Sequence, residues 1–157
     1  MRKLNVYRDK GTVGKDVIDD FMKRNGFCLP KHYVDLITEH DWLRPRESFF
    51  DFRCQGKIDN RDIGFYGFKS NVSPFLGNLE SNQDFDIYGH EYILAFGFCS
   101  NGDYVCFDYR YDIQTCEPKV VLMLHDQYFE DDKGHRRMVV IDVAKDFESF
   151  IDDLYEE

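Results

Sequence analysis

The chain has 157 residues, a length that suits one domain and supports a core without disulfide or metal staples. Apolar residues make up 43% and aromatics 17%, which excludes a disordered chain. Twenty Lys and Arg stand against 30 Asp and Glu, a formal net charge of −10. That excess argues against direct binding to nucleic acid or an anionic membrane, where clustered Lys and Arg supply the affinity.

The first predicted element is a helix: Val13, Val17, Phe21 and Ile18, Met22 recur at three- and four-residue spacing, and Asn25-Gly26 stops it. Leu29-Pro30 opens a second helix, with Pro near the first helical position and Tyr33, Leu36, Ile37 and His40 on one stripe. Residues 48–54 and 63–68 are aromatic-rich strands, and Gly64 and Gly67 mark bends or bulges in the second. Residues 71–90, with Pro74, Gly77, Asn78 and Gly89, read as a long loop with at most a short helical turn. A hairpin follows, in which residues 91–99 and 104–109 flank Asn101-Gly102, the favoured pair for a two-residue type I′ turn. That register opposes Phe98 to Val105 and Phe96 to Phe107, and gathers Tyr92, Leu94, Phe96, Phe98, Val105, Phe107 and Tyr109 on a core face. The small residues of its other face leave room for a helix or a partner. Residues 119–125 and 137–141 are further strands, and a closing helix has Asp142 as N-cap and Val143, Phe147, Phe150, Ile151 and Leu154 as its apolar stripe. Two helices, an antiparallel meander and a last helix make an α+β fold, one domain over residues 1–157.

Charge is unevenly placed along this plan. Residues 1–60 carry 12 basic and 10 acidic side chains, whereas residues 61–157 carry 8 and 20. No Lys or Arg occurs between Ser70 and Tyr109, a span that holds Glu80, Asp84, Asp86, Glu91, Asp103 and Asp108. Solubility accounts for such a bias, and so does a surface that attracts a basic partner. A minority of aromatics beside these acids, among them Tyr88, Tyr109, Tyr111, Tyr128 and Phe129, suits a protein interface if exposed.

Signals of catalysis are weak. Cys28, Cys54, Cys99, Cys106 and Cys116 form no CxxC pair, and with no apolar leader in Met1–Lys15 they read as reduced thiols of a cytoplasmic protein. The five His residues are scattered, so no metal is expected; His125-Asp126 resembles half of a metal-dependent phosphohydrolase signature and reads better as satisfied structural groups. No GxSxG, P-loop or GxGxxG occurs, and no catalytic set or cofactor is expected.

Four stretches taken in order resemble one family. Phe27-Cys28-Leu29-Pro30-Lys31-His32-Tyr33 resembles the LPxxY signature of the SUKH superfamily, the Smi/Knr-like domain. Residues 92–97 and 101–108 are similar to its apolar strand, Gly-Asp turn and "ycfD" strand. Residues 118–126 and 143–150 resemble its next strand and closing helix. His40-Asp41-Trp42 stands where the family often has Asn-Gly-Gly. The resemblance implies a curved antiparallel sheet with helices packed around it. It also implies a bacterial immunity protein, not an enzyme, that binds a cognate toxin, often a nuclease. An acidic inhibitor can occupy the basic groove with which a nuclease holds phosphates. The expected partner-binding residues are therefore Glu80, Asp84, Asp86, Tyr88, Glu91, Asp103 and Asp108, on a monomer or weak homodimer. The alternatives are a protein-interaction scaffold of the same fold and, further off, a small hydrolase.

Overall fold

The computed structural model describes residues 1–70 and 77–157, and Pro74 of the expected loop lies outside the described residues. The fold is α+β. Its centre is a five-stranded antiparallel sheet in the order β5-β6-β7-β8-β9: β5 Gly64–Phe65, β6 Ile93–Phe98, β7 Tyr104–Asp108, β8 Lys119–Glu130 and β9 Arg136–Ala144. Two small antiparallel ribbons flank it, β1 (Val6–Arg8) with β2 (Arg44–Pro45), and β3 (Phe49–Cys54) with β4 (Lys57–Asp62). The helices are α1 (Lys15–Asn25), α2 (Lys31–Glu39), α3 (Phe85–Tyr88) and α4 (Phe147–Asp152).

The two opening helices form where the sequence places them. Gly26 closes α1 in the left-handed region (φ 74°), and Pro30 sits just before α2 as its N-cap. Val17, expected on the buried stripe of α1, is exposed, and Ile18 and Phe21 carry the packing. On one side of the sheet an aromatic core assembles around Tyr33 of α2, whose ring meets Phe96, Phe107 and Phe147 at 5.2–5.8 Å. Phe150 of α4 packs on Phe96 and on Phe50 of β3, tying the β3–β4 ribbon to the same core.

The central hairpin differs from the expected register. Cys99 donates to the Asp103 carbonyl and Gly102 to the Cys99 carbonyl, so the loop is Ser100-Asn101-Gly102 with Gly102 alone left-handed (φ 99°). This is the three-residue alternative, a type I turn closed by one glycine. It is held from outside, because Asp62 accepts both the backbone N–H and the hydroxyl of Ser100. A bulge at Phe96 shifts the pairing again: Ala95 faces Cys106, Gly97 faces Val105, and Phe98 faces Tyr104. Phe96 stacks on Phe107 in the core at 4.1 Å, while Phe98 passes to the opposite face. Tyr92, expected in the core, is exposed.

The remaining departures follow from polar strands and extended pairing. The polar stretch Lys57–Asp62 is a strand, joined to β3 through Gln55-Gly56, both with positive φ (52° and 77°). The strand expected over 63–68 is reduced to Gly64–Phe65. Asp142 lies within β9, and Asp146 caps α4, accepting from the Ser149 N–H at 2.8 Å. Cys28 and Cys116 are joined in a disulfide, correcting the expectation of five reduced thiols. Cys54, Cys99 and Cys106 are free.

Candidate partner-binding surface

Residues 77–91 lie across the second face of the sheet, over Ala95, Cys106 and Tyr104. The small residues there leave the room that the sequence suggested, and the chain itself fills it. Gln83 pairs with the Ala95 backbone through both ends of its amide, accepting from the N–H (2.9 Å) and donating to the carbonyl (2.7 Å). It thereby satisfies the strand edge that two-residue β5 leaves open. Tyr88 packs on Tyr104 at 5.0 Å and donates its hydroxyl to the Asn82 carbonyl, and burial raises its pKa. Two short helical turns result, Glu80–Asn82 and α3. Asp84 caps α3 by accepting from the Ile87 N–H at 3.2 Å, and Gly89 ends it with φ 72°. Gly89 lies directly against the backbone of Arg136 and Arg137, where no Cβ would fit. His90 follows, buried, its Nε2 donating to the Met138 carbonyl at 2.9 Å, and burial lowers its pKa.

The seven expected binding residues separate into two groups. Asp84, Asp86 and Glu91 are exposed and have no ion pair among the described residues. The other four are engaged within the molecule. Glu80 holds Arg24 of α1 through both carboxylate oxygens, at 2.5 and 2.9 Å, and the guanidinium keeps its pKa low. Tyr88 is 1% exposed. Asp108, 5% exposed, receives a two-pronged bond from Arg110, both arms 3.0 Å, and a third from the Arg110 backbone N–H. Asp103, 1% exposed, is the centre of a larger network.

Asp103 Oδ1 accepts the backbone N–H of His125 (3.0 Å) and lies 2.6 Å from its Nδ1, while Oδ2 accepts from Arg61 and Asn101, both at 2.9 Å. Burial pushes this carboxyl up, but the bonds from His125, Asn101 and Arg61 outweigh it, and the pKa is lowered overall. The network locks the Ser100–Gly102 turn to β8 and to the β3–β4 ribbon. Asp103, His125 and Asp126 are also close enough together to suggest metal ligands. Yet both Asp103 oxygens are already bonded, and only Asp126 offers a free carboxylate. His125 therefore serves to hold the turn through Asp103, and Asp126 beside it is exposed with no hydrogen bond or ion pair of its side chain among the described residues.

Around the three free acids lie apolar side chains that the sequence plan did not assign to a surface. Ile87 is 55% exposed, Phe129 45% and Tyr92 44%. Phe129 faces Arg137 across the β8–β9 hairpin and packs near His90, which brings it beside Gly89 and the end of α3. Tyr111 is exposed as foreseen, whereas Tyr109 is buried and donates to the Cys28 carbonyl at 2.7 Å. Basic groups reach the same region from elsewhere in the chain. Arg137 donates to the Gly89 carbonyl and to Asp131, and Arg136 stacks over Tyr128 at 3.9 Å. Acid, exposed apolar groups and a flanking guanidinium together make an interface-like patch.

The sequence matches the SMI1 / KNR4 family (SUKH-1) over residues 12–153. The chain belongs to this family. The match spans both opening helices, the whole central sheet and α4, so the fold and the family assignment rest on the same residues. Neither the curated proteins nor the solved structures gave a match. SUKH-1 membership is compatible with an immunity-protein role. No helix among the described residues is long and apolar enough to cross a membrane.

Proposed function

We propose that this SUKH-1 protein is an immunity protein that binds and neutralises a cognate toxin, a basic nuclease, and does so without catalysis. The observation that carries the reading is the group Asp84, Asp86 and Glu91, exposed and without ion pairs among the described residues, beside exposed Ile87, Tyr92 and Phe129. Uncompensated acids on a chain of net charge −10 draw a basic partner from a distance, and the apolar groups give contact area once it docks. Glu80, Asp103 and Asp108 contribute to the shape of the surface and to its overall field, since their own charges are matched by Arg24, Arg61 and Arg110.

The test uses the toxin encoded beside the gene. Cells expressing it should survive when this chain is co-expressed. The variant Asp84→Asn/Asp86→Lys/Glu91→Lys reverses the patch, and Asn at 84 keeps a capping side chain for α3. Its association rate with the toxin, by stopped-flow at low salt, should fall about tenfold or more, with a flatter salt dependence. Unchanged association kinetics remove this patch from the interface, and failure to rescue from any neighbouring toxin overturns the immunity reading.

A further inference from the structure

The β1–β2 ribbon carries an arrangement that the toxin reading does not use. Arg8 and Arg44 are cross-strand partners, and Arg46, two positions along from Arg44, shares its face. None of the three guanidiniums has a hydrogen-bond acceptor or a carboxylate within ion-pair distance among the described residues, in a chain with 30 acids. Like charges directly opposite weaken a ribbon, so the trio is costly as it stands. Arg44 is moreover held in a slot. Its guanidinium lies 4.4 Å from the Phe98 ring centroid, and a Cβ at Gly64 would overlap it. It is half-buried, and that burial lowers its pKa by more than Asp62, beyond ion-pair distance, raises it. Tyr7, 58% exposed, stands next to Arg46, whose guanidinium is 6.0 Å from its ring.

We propose that Arg8, Arg44 and Arg46 form a site for one dianionic phosphate group, carried by inorganic phosphate or by a small phosphate monoester such as a nucleoside monophosphate. A phosphate monoester brings a charge of about −1.5 to −2 and three acceptor oxygens, which three planar donor forks can match. A single carboxylate carries less charge and two oxygens, and leaves one guanidinium uncompensated. The phosphates of a nucleic acid require a continued basic track, which a chain of net charge −10 opposes. Phe98 and Gly64 fix Arg44 before the ligand arrives, so little ordering cost falls on binding. Tyr7 offers a ring face to the organic part of a monoester.

The proposal is tested on the full chain by NMR at constant ionic strength, adding sodium phosphate, adenosine monophosphate or, as control, sodium chloride. Saturable shifts of the Nε–H signals of the three arginines and of the β1–β2 amides are expected with both phosphates and not with chloride. Tighter binding of adenosine monophosphate, abolished by Tyr7→Ala, assigns a monoester; equal affinities assign free phosphate. Arg8→Gln/Arg46→Gln changes two exposed residues and should weaken binding roughly tenfold or more, and Arg44→Gln at least as much. Non-saturating shifts, shifts confined to another region, or a double variant that titrates like the parent overturn the site.

Discussion

Removing the Cys28–Cys116 bond is the perturbation whose size follows most directly from the structure. The bond ties the α1–α2 connection to the loop before β8, across a sequence separation of 88 residues. In the chain-entropy account a cross-link closing 88 residues lowers the denatured-state entropy enough to stabilise the fold by about 4.6 kcal/mol at 25 °C. Disulfides commonly deliver about 2–4 kcal/mol, and at about 2–4 °C per kcal/mol for a chain of this size Tm should drop by roughly 4–16 °C. Cys116 is exposed, so Cys116→Ser removes the tether without opening a core cavity. Its melting curve should superimpose on that of the parent chain in reductant and should itself be indifferent to reductant. The urea m-value should rise in both, because the denatured chain is released from its loop. Five titratable thiols in the non-reduced, denatured protein, with a Tm that reductant does not move, would refute the cross-link.

Two further predictions concern buried ionisable groups. Asp103→Ala leaves Arg61, Asn101 and His125 without their shared acceptor, and should cost about 3 kcal/mol, the low end for a broken buried pair because Arg61 and His125 both reach solvent. Since the folded pKa of Asp103 is lowered, its contribution is present above about pH 4 and is lost as pH falls through the lower folded value. The parent should therefore lose more stability than the variant between neutral and strongly acidic urea titrations; parallel losses would show that the network does not hold this charge. His90 is depressed by burial, so the neutral ring stabilises the fold above about pH 6.5 and that contribution fades as pH falls through the lower folded value. Its imidazole proton signals should titrate with a midpoint below about 6.5, and a midpoint above that would show that burial does not outweigh the upward pull of the Met138 carbonyl.

Patterns of apolar spacing made the helices and the inner strands legible. Phe21, Tyr33, Phe147 and Phe150 lie in the core where their periodicity put them. Turn chemistry was harder, because identical dipeptide signals serve different geometries. Asn101-Gly102 looks like a type I′ pair, yet the bonds from Ser100 to Asp62 and from Asn101 to Asp103 draw a third residue into the loop. The two consecutive positive-φ residues sit instead at Gln55-Gly56, before a strand too polar to register as one. The Phe96 bulge left no trace in the alternation and moved Phe98 to the face where Arg44 uses it. The disulfide was equally hidden, since Cys28 and Cys116 share no motif and meet only when the loop before β8 folds back on the α1–α2 connection.

The acidic stretch shows how a linear charge run changes on folding. Forty residues without a Lys or Arg in sequence are not a surface without one, since cations arrive from 42 to 56 positions away. Arg24 reaches Glu80, Arg61 reaches Asp103, and Arg137 reaches the Gly89 carbonyl. Two of the acids carried local hints of structural employment. Asp108 is followed two residues later by Arg110, and Asp103 closes an Asn-x-Asp turn. Acids with a turn to hold or a nearby guanidinium are the ones the fold takes up. Asp86 and Glu91 have neither, and Asp84 spends one oxygen on a helix cap while keeping its charge exposed. The same reasoning applies in reverse to Arg8, Arg44 and Arg46, which sit in the slightly basic first third of the chain and have no carboxylate within ion-pair distance among the described residues. Charges that folding leaves unmatched are the ones free to engage something outside the chain, and here they lie in two separate places, of opposite sign.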